Sequence, residues 1–137
     1  MDLHTPYAFG KSVSAPFSLV DSKIRTELQK EGFGILSEID VTAKFKEKLD
    51  KDFCKYLILG ACNPTLAWQA FGQELNIGVL LPCNVVLYET DQGEAAAPET
   101  AVMIMDPEAV LSLIDNPQVA ELAAMVKAKM ERVLAAI

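Results

Sequence analysis

Two apolar runs late in the chain, Val85-Val86-Leu87-Tyr88 and Ala101 to Met105, are joined by a stretch with no helical pattern. A parallel pair needs a crossover of a dozen or more residues, usually a helix, so strands joined without one pair antiparallel. The join holds Asp91-Gln92-Gly93-Glu94 and then Ala95-Ala96-Ala97-Pro98, and reads as a hairpin connection. This reversal argues against an all-parallel α/β sheet. The expected class is α+β, with an antiparallel or mixed sheet and helices packed largely on one face.

The other elements are read from period and punctuation. Tyr7 to Val13 suits a first strand, and Ser14 offers an N-cap to a helix with Pro16 near its first turn. Phe17, Val20, Ile24 and Leu28 follow at helical spacing, and Gly32 supplies the stop. Phe33, Ile35, Ser37 and Ile39 alternate with Gly34, Leu36 and Glu38 as a second strand. Asp40 caps a short helix presenting Val41, Phe45 and Leu49 on one face. Tyr56 to Gly60 has strand length, and Asn63-Pro64 opens a helix carrying Ala67, Ala70, Phe71 and Leu75. Val79-Leu80-Leu81 reads as extended, with Pro82 marking a bulge or an edge. Asp106-Pro107 and Asn116-Pro117 repeat the cap-then-proline device, the second before a long helix that buries Val119, Leu122, Val126, Met130, Val133 and Ile137.

With 137 residues, half of them hydrophobic, the chain suits one domain with a core that needs no staples. No stretch approaches the ~20 apolar residues of a membrane span, and Met1-Asp2-Leu3-His4 lacks the pattern of a secretory signal. Three cysteines at irregular spacing do not form a disulfide framework. A reducing cytosol is therefore the expected location, and the chain is expected to be of a bacterial type. Residues 1–60 hold nine basic and nine acidic side chains, whereas 61–137 hold three and ten, and no Lys or Arg lies between Lys55 and Lys127. Nucleic-acid binding relies on Lys and Arg neutralising phosphates, so no such partner is expected. The same gap leaves no basic side chain to clamp a phosphate, and Gly60 belongs to no phosphate-binding glycine pattern.

Two tetrapeptides are the best candidates for chemistry: Ala61-Cys62-Asn63-Pro64 and Pro82-Cys83-Asn84-Val85. Cys62 precedes a helix N-cap, where exposed N–H groups and the helix dipole can lower a thiol pKa. If the two strands are neighbours, Cys62 and Cys83 approach each other at one end of the sheet as a redox dithiol or half of a soft-metal site. The structural reading is stronger: free Cys is usually a small buried hydrophobe, Asn63 serves as a cap, and Asn84 hydrogen-bonds at a bulge. The spacing matches neither Cys-x-x-Cys nor a zinc signature. Cys54, in a loop, is weaker still. His4 is the single histidine and is expected in a mobile terminus. The carboxylate pairs Asp50/Asp52 and Glu89/Asp91 are most simply solvated, and Trp68 is a pocket-lining candidate that an amphipathic helix would ordinarily bury.

Taken together, Glu31-Gly32-Phe33-Gly34-Ile35-Leu36, Glu38-Ile39-Asp40-Val41, Leu59-Gly60-Ala61-Cys62-Asn63-Pro64, Leu80-Leu81-Pro82-Cys83-Asn84-Val85-Val86 and the closing Asp106-Pro107 resemble the domain-of-unknown-function family DUF302 over about residues 7–134. The resemblance implies a small α+β domain with a curved sheet and a packed helix layer, often a dimer. It implies no established enzymatic activity and supplies no catalytic residues. Many relatives carry other residues where Cys62 and Cys83 stand, which puts this chain in a Cys-bearing subgroup. The resulting expectation is a non-enzymatic homodimeric domain, with no cofactor, that binds a small apolar ligand or a protein partner between its helices and sheet. Thiol-dependent redox or soft-metal chemistry at Cys62 and Cys83 is the alternative.

Overall fold

The computed structural model describes residues 1–90 and 97–137, and the connection read at Asp91-Gln92-Gly93-Glu94 lies outside the described residues. Strands β1 (Asp2–Thr5), β2 (Ala8–Val13), β3 (Gly34–Asp40), β4 (Tyr56–Cys62), β5 (Cys83–Glu89) and β6 (Thr100–Met105) form one open sheet in the order β1-β2-β6-β5-β4-β3. Every neighbouring pair is antiparallel. The reversal expected from the helix-free connection is present, with β5 and β6 in register from Val85↔Ile104 to Glu89↔Thr100. The fold is α+β.

Side chains alternate along a strand, so the register decides which of them meet the helices. Leu59, Val85, Leu87, Val102 and Ile104 are fully buried and share one face with Ala61 and Cys83. Helix α1 (Phe17–Lys30) lays Phe17, Val20, Ile24 and Leu28 on that face, and α5 (Pro117–Ala135) adds Met130 and Val133. At about 1.5–3 kcal/mol for each large apolar side chain removed from water, α1 alone contributes roughly 6–12 kcal/mol of transfer free energy, opposed by the entropy of ordering it. The other face carries Tyr56, Ile58, Val86, Tyr88 and Met103, none of them fully buried. The rings of Tyr56 and Tyr88 stack there at 5.4 Å. Thr100, the one polar residue in the buried set of the described residues, donates its hydroxyl to the Ala15 carbonyl at 3.0 Å, which answers its need for a partner.

Gly32 ends α1 at φ +86°, in the left-handed region that glycine enters without a Cβ penalty. Asp40 caps α2 (Val41–Leu49) by accepting from the Ala43 amide at 2.9 Å. Asn63 caps α3 (Pro64–Gln73), Asp106 caps α4 (Pro107–Leu111) and Asn116 caps α5, each with proline at the first helical position. Lys127 of α5 reaches back to Asp106 at 2.9 Å and ties α4 to α5. Arg132 joins Glu31 at 2.8 Å and ties α5 to the end of α1.

Several local expectations are corrected. Residues 2–5 form β1, so His4 is not in a mobile tail but in a strand opposite Phe9. Ser14 does not cap α1. Its N-cap is Pro16, with no side-chain hydrogen bond. The alternation expected through β3 breaks where the register shifts between Ile35 and Ser37, which puts Ile35 opposite Ala61 on the core side but leaves Ile39 exposed opposite Ile58. The α2 apolar face exists, yet none of its residues is buried. Val79 and Leu80 are not extended. They end a 3₁₀ helix, Leu75–Leu80, started by Glu74, whose side chain accepts from the Asn76 amide. Pro82 follows a cis peptide bond and sits just before β5, rather than at a bulge within it.

Candidate functional site

The chain leaves its helix-covered sheet at one end, where β4 runs into α3 and the 3₁₀ helix runs into β5. Asn63 organises this corner. Its side-chain oxygen accepts from the Leu66 amide at 3.2 Å, and its amide nitrogen donates to the Glu31 carbonyl at the end of α1, at 3.5 Å. A Cβ on Gly32 would come within 3.0 Å of that nitrogen, so the glycine stop of α1 and the cap of α3 are fitted to each other. Gly60 is needed for a different reason: a Cβ there would collide with Ser37 Oγ and with Pro82 Cγ at 2.8 Å. The motifs around Gly32, Gly60, Asn63 and Pro82 are therefore one packed junction.

Behind the junction lies an apolar cavity of about 260 Å³. Ala61 and Cys83 form its floor on the sheet, and Leu66, Ala67, Ala70 and Phe71 of α3 form one wall. Ile77 and Gly78 of the 3₁₀ helix, Leu111 of α4, and Val119, Leu122, Ala123 and Val126 of α5 complete it. The space is left by small side chains. Ala61, Ala67, Ala70, Gly78 and Ala123 stand where larger residues would interdigitate in a filled core. A site of this size exceeds the ~150 Å³ engineered cavity that holds benzene, and by that scaling suits a ligand of roughly ten non-hydrogen atoms. The larger depression, about 520 Å³, is an open trough walled by Trp68, Gln69, Gln73, Gln118, Glu121 and Met125, too polar and too shallow to enclose an apolar molecule.

Both cysteines of the two tetrapeptides line the cavity, Cys83 buried and Cys62 half-buried. They are neighbours across the β4–β5 ladder, where Cys83 pairs with Ala61. Burial pushes the Cys62 thiol up, which corrects the expectation that the α3 terminus lowers it. Burial, and then the neighbouring Cys62, push Cys83 up to about 11. Both sulfurs are thus neutral thiols at neutral pH, adding polarisable surface to an apolar wall. Among the described residues, no group of three or more His, Cys, Asp or Glu is arranged to hold a metal.

The remaining candidates scatter. Asn63 lines the cavity and caps α3, while Asn84 is exposed on β5 opposite Gly60, outside the cavity and away from any bulge. Trp68 points outward from α3 with 81% of its surface exposed. Cys54 is exposed, and Asp50 and Asp52 are solvated around Lys46 at 3.0 and 3.4 Å. Asp91 lies outside the described residues. Sequence reasoning passed over Leu66, Ile77, Leu111 and Ala123 as wall residues, because a cavity is defined by space between elements distant in the chain. The signal that was present is the run of small residues on α3.

A family model described as a domain of unknown function, DUF302, matches residues 9–137. The crystal structure of an uncharacterized conserved DUF302 protein from Bacillus stearothermophilus is similar at 27% identity and a TM-score of 0.84, over 94% of this chain and 96% of that one. No curated protein matches. Among the described residues, no helix is long and apolar enough to cross a membrane.

Proposed function

We propose that this chain, which belongs to the DUF302 family of domains of unknown function, is a non-enzymatic binding domain that takes a small apolar molecule into the cavity beneath α3 and works as a homodimer. The observation that carries the binding reading is the cavity wall. It is almost wholly aliphatic, aromatic or thiol, with Asn63 as the polar lining side chain, and that group is already engaged in its cap. A wall with no charged side chain, whose single amide is engaged in its cap, favours a ligand recognised by shape and water exclusion. It offers nothing to activate a water, hold a developing charge or move a proton at neutral pH.

Naphthalene, with ten carbons and no polar group, is the direct probe. The expected result is a raised melting temperature at saturation, since a ligand that binds only the folded chain stabilises it. Nuclear Overhauser contacts from its ring protons to the Ala70 and Ala123 methyls are expected as well. Ala70→Leu fills the space and should abolish both. An unchanged melting temperature with no such contacts would sink the reading.

The alternative, thiol redox or soft-metal chemistry, has one observation in its favour: Cys62 and Cys83 line the same cavity. Against it stand the upward shifts of both thiols, which reduce the thiolate needed for nucleophilic attack or metal ligation. Stoichiometric zinc binding lost in both Cys62→Ser and Cys83→Ser would favour it over the apolar-ligand reading.

A further inference from the structure

The cavity is enclosed on one side and open on the other. Leu111, Val119, Leu122 and Ala123 form its enclosed part and are buried. Its mouth is edged by Leu36, Cys62, Asn63, Phe71, Gly78 and Pro82, which are half-buried or exposed, and none of them is charged. Leu36 comes from the bulge in β3, where Ile35 pairs with Ala61 and Ser37 with Gly60, so that Leu36 has no residue opposite it. Its side chain is 68% exposed and makes an aliphatic lip. Along α3 the edge runs from Asn63 through Ala67 to Phe71, residues four apart and therefore on one helix face. At 1.5 Å of rise per residue, that edge is a slot about 12 Å long.

We propose that the molecule taken here is an uncharged aliphatic chain ending in a hydrogen-bond-accepting oxygen, a medium-chain ketone or ester by class, with its chain in the cavity and its oxygen at Asn63. The proposal rests on the apolar-ligand reading and names the ligand class of that same site. Shape selects a chain. A slot opening along a helix admits a narrow molecule lengthwise, and about 260 Å³ holds roughly ten non-hydrogen atoms. An end that stays at an open mouth keeps its access to water, so a polar atom there escapes the cost of being buried without a partner. Asn63 supplies a partner as well. An asparagine amide has two N–H donors and two acceptor lone pairs. The α3 cap takes one lone pair, and the Glu31 carbonyl takes one N–H at the long distance of 3.5 Å. One N–H remains for a ligand oxygen. Charge then decides what kind of polar end fits. The two arginines tied to this corner are already neutralised, Arg132 by Glu31 at 2.8 Å and Arg25 by Asp21 and by Glu38 of β3. A carboxylate or phosphate end would find no lysine or arginine in the wall of a chain that carries −7, and an ammonium end would find no carboxylate there.

Methyl heptyl ketone, octanoate and naphthalene all match a site for roughly ten non-hydrogen atoms, so they compare charge and polarity at constant size. Titrated into the full chain at pH 7 and followed by the Ala70 and Ala123 methyl signals, the ketone should bind about tenfold more tightly than octanoate. The side-chain N–H signals of Asn63 should move downfield with the ketone, as a newly formed hydrogen bond requires. Asn63→Asp keeps an oxygen to cap α3 but loses both N–H donors. It should weaken the ketone about fivefold and leave naphthalene within about twofold. Leu36→Lys, at an exposed position, puts a cation on the lip and should tighten octanoate about fivefold. Octanoate bound by the wild type as tightly as the ketone would overturn the charge selection, and an unchanged octanoate affinity in Leu36→Lys would overturn the placement of the polar end at the mouth. Stationary Asn63 signals in the wild type, or equal losses of ketone and naphthalene in Asn63→Asp, would overturn the role of the amide, and the wild-type signals decide the matter if that variant does not fold. If naphthalene binds and the ketone does not, this proposal falls and the apolar-ligand reading stands. If neither binds, both fall.

Discussion

The two hydrophobic clusters of this domain differ in how they use equally apolar sequence. Beneath α1, the branched side chains Ile24, Leu28, Leu59, Leu87 and Ile104 are fully buried together between helix and sheet. Beneath α3, Leu66, Ile77, Leu111 and Leu122 stand apart because alanines and a glycine fill the positions between them. Burial is almost as complete in both. The difference is side-chain volume, and the lesson is that a binding cavity is specified by where bulk is withheld.

The comparison breaks most visibly under truncation. Leu87→Ala in the filled cluster should cost about 4 kcal/mol, in the upper part of the range for large-to-small core changes, whereas Ile77→Ala should cost about 2 because its side chain already borders space. Urea denaturation of both variants checks this, and equal losses would mean that the corner is as tightly packed as the slab. The thiols give the next largest contrast. With Cys83 at about 11, its thiolate fraction at neutral pH should be roughly 300-fold below that of a free thiol near 8.5. A thiol reagent at pH 7 should therefore modify exposed Cys54 first and Cys83 last, with the Cys83 rate climbing tenfold per pH unit up to about pH 11.

Smaller effects come from the hinge between the clusters. Burial raises Asp106, but its hydrogen bonds from Lys127 and from the Ala109 and Glu108 amides outweigh this and hold the carboxyl below the usual range. A carboxylate whose folded value is depressed contributes stability above its unfolded value of about 3.9, and loses it as pH falls through the folded value. Asp106→Ala removes the α4 cap and the Lys127 pair and should cost about 1–2 kcal/mol at pH 7. The gap to wild type should close on acidification below pH 4, and a constant gap would assign the loss to something other than the carboxylate. The smallest expected change is the most diagnostic of the hollow: Ala123→Leu, pointing into the cavity, should cost less than about 1 kcal/mol, whereas Val102→Leu in the filled slab should cost about 1–3.

Much of the architecture was legible because its determinants are local. The α1 stripe, the Gly32 stop, and the Asp40, Asn63, Asp106 and Asn116 caps each depend on residues within a few positions, and the antiparallel sheet followed from one short connection. What escaped the sequence depends on distant partners. Residues 2–5 are a strand only because β2 lies beside them, and the bulge in β3 turns Ile39 from the core to the exposed face. The site followed the same rule. Cys62, Cys83 and Asn63 were found because they end strands beside proline, but the cavity they border is enclosed by residues spread from Phe33 to Val126. Trp68 shows the limit of pattern reading: helical spacing predicts burial for a large aromatic, yet it stands outside on a helix whose inner face is already occupied.

The most direct measurement is a crystal of the full chain pressurised with xenon, which partitions into empty apolar space and leaves filled cores untouched. Xenon density among Leu66, Ile77 and Leu122, with none beneath α1, is the expected result. A corner closed by an inward Phe71, with no xenon in it, would contradict the contrast between the two clusters and the binding role drawn from it.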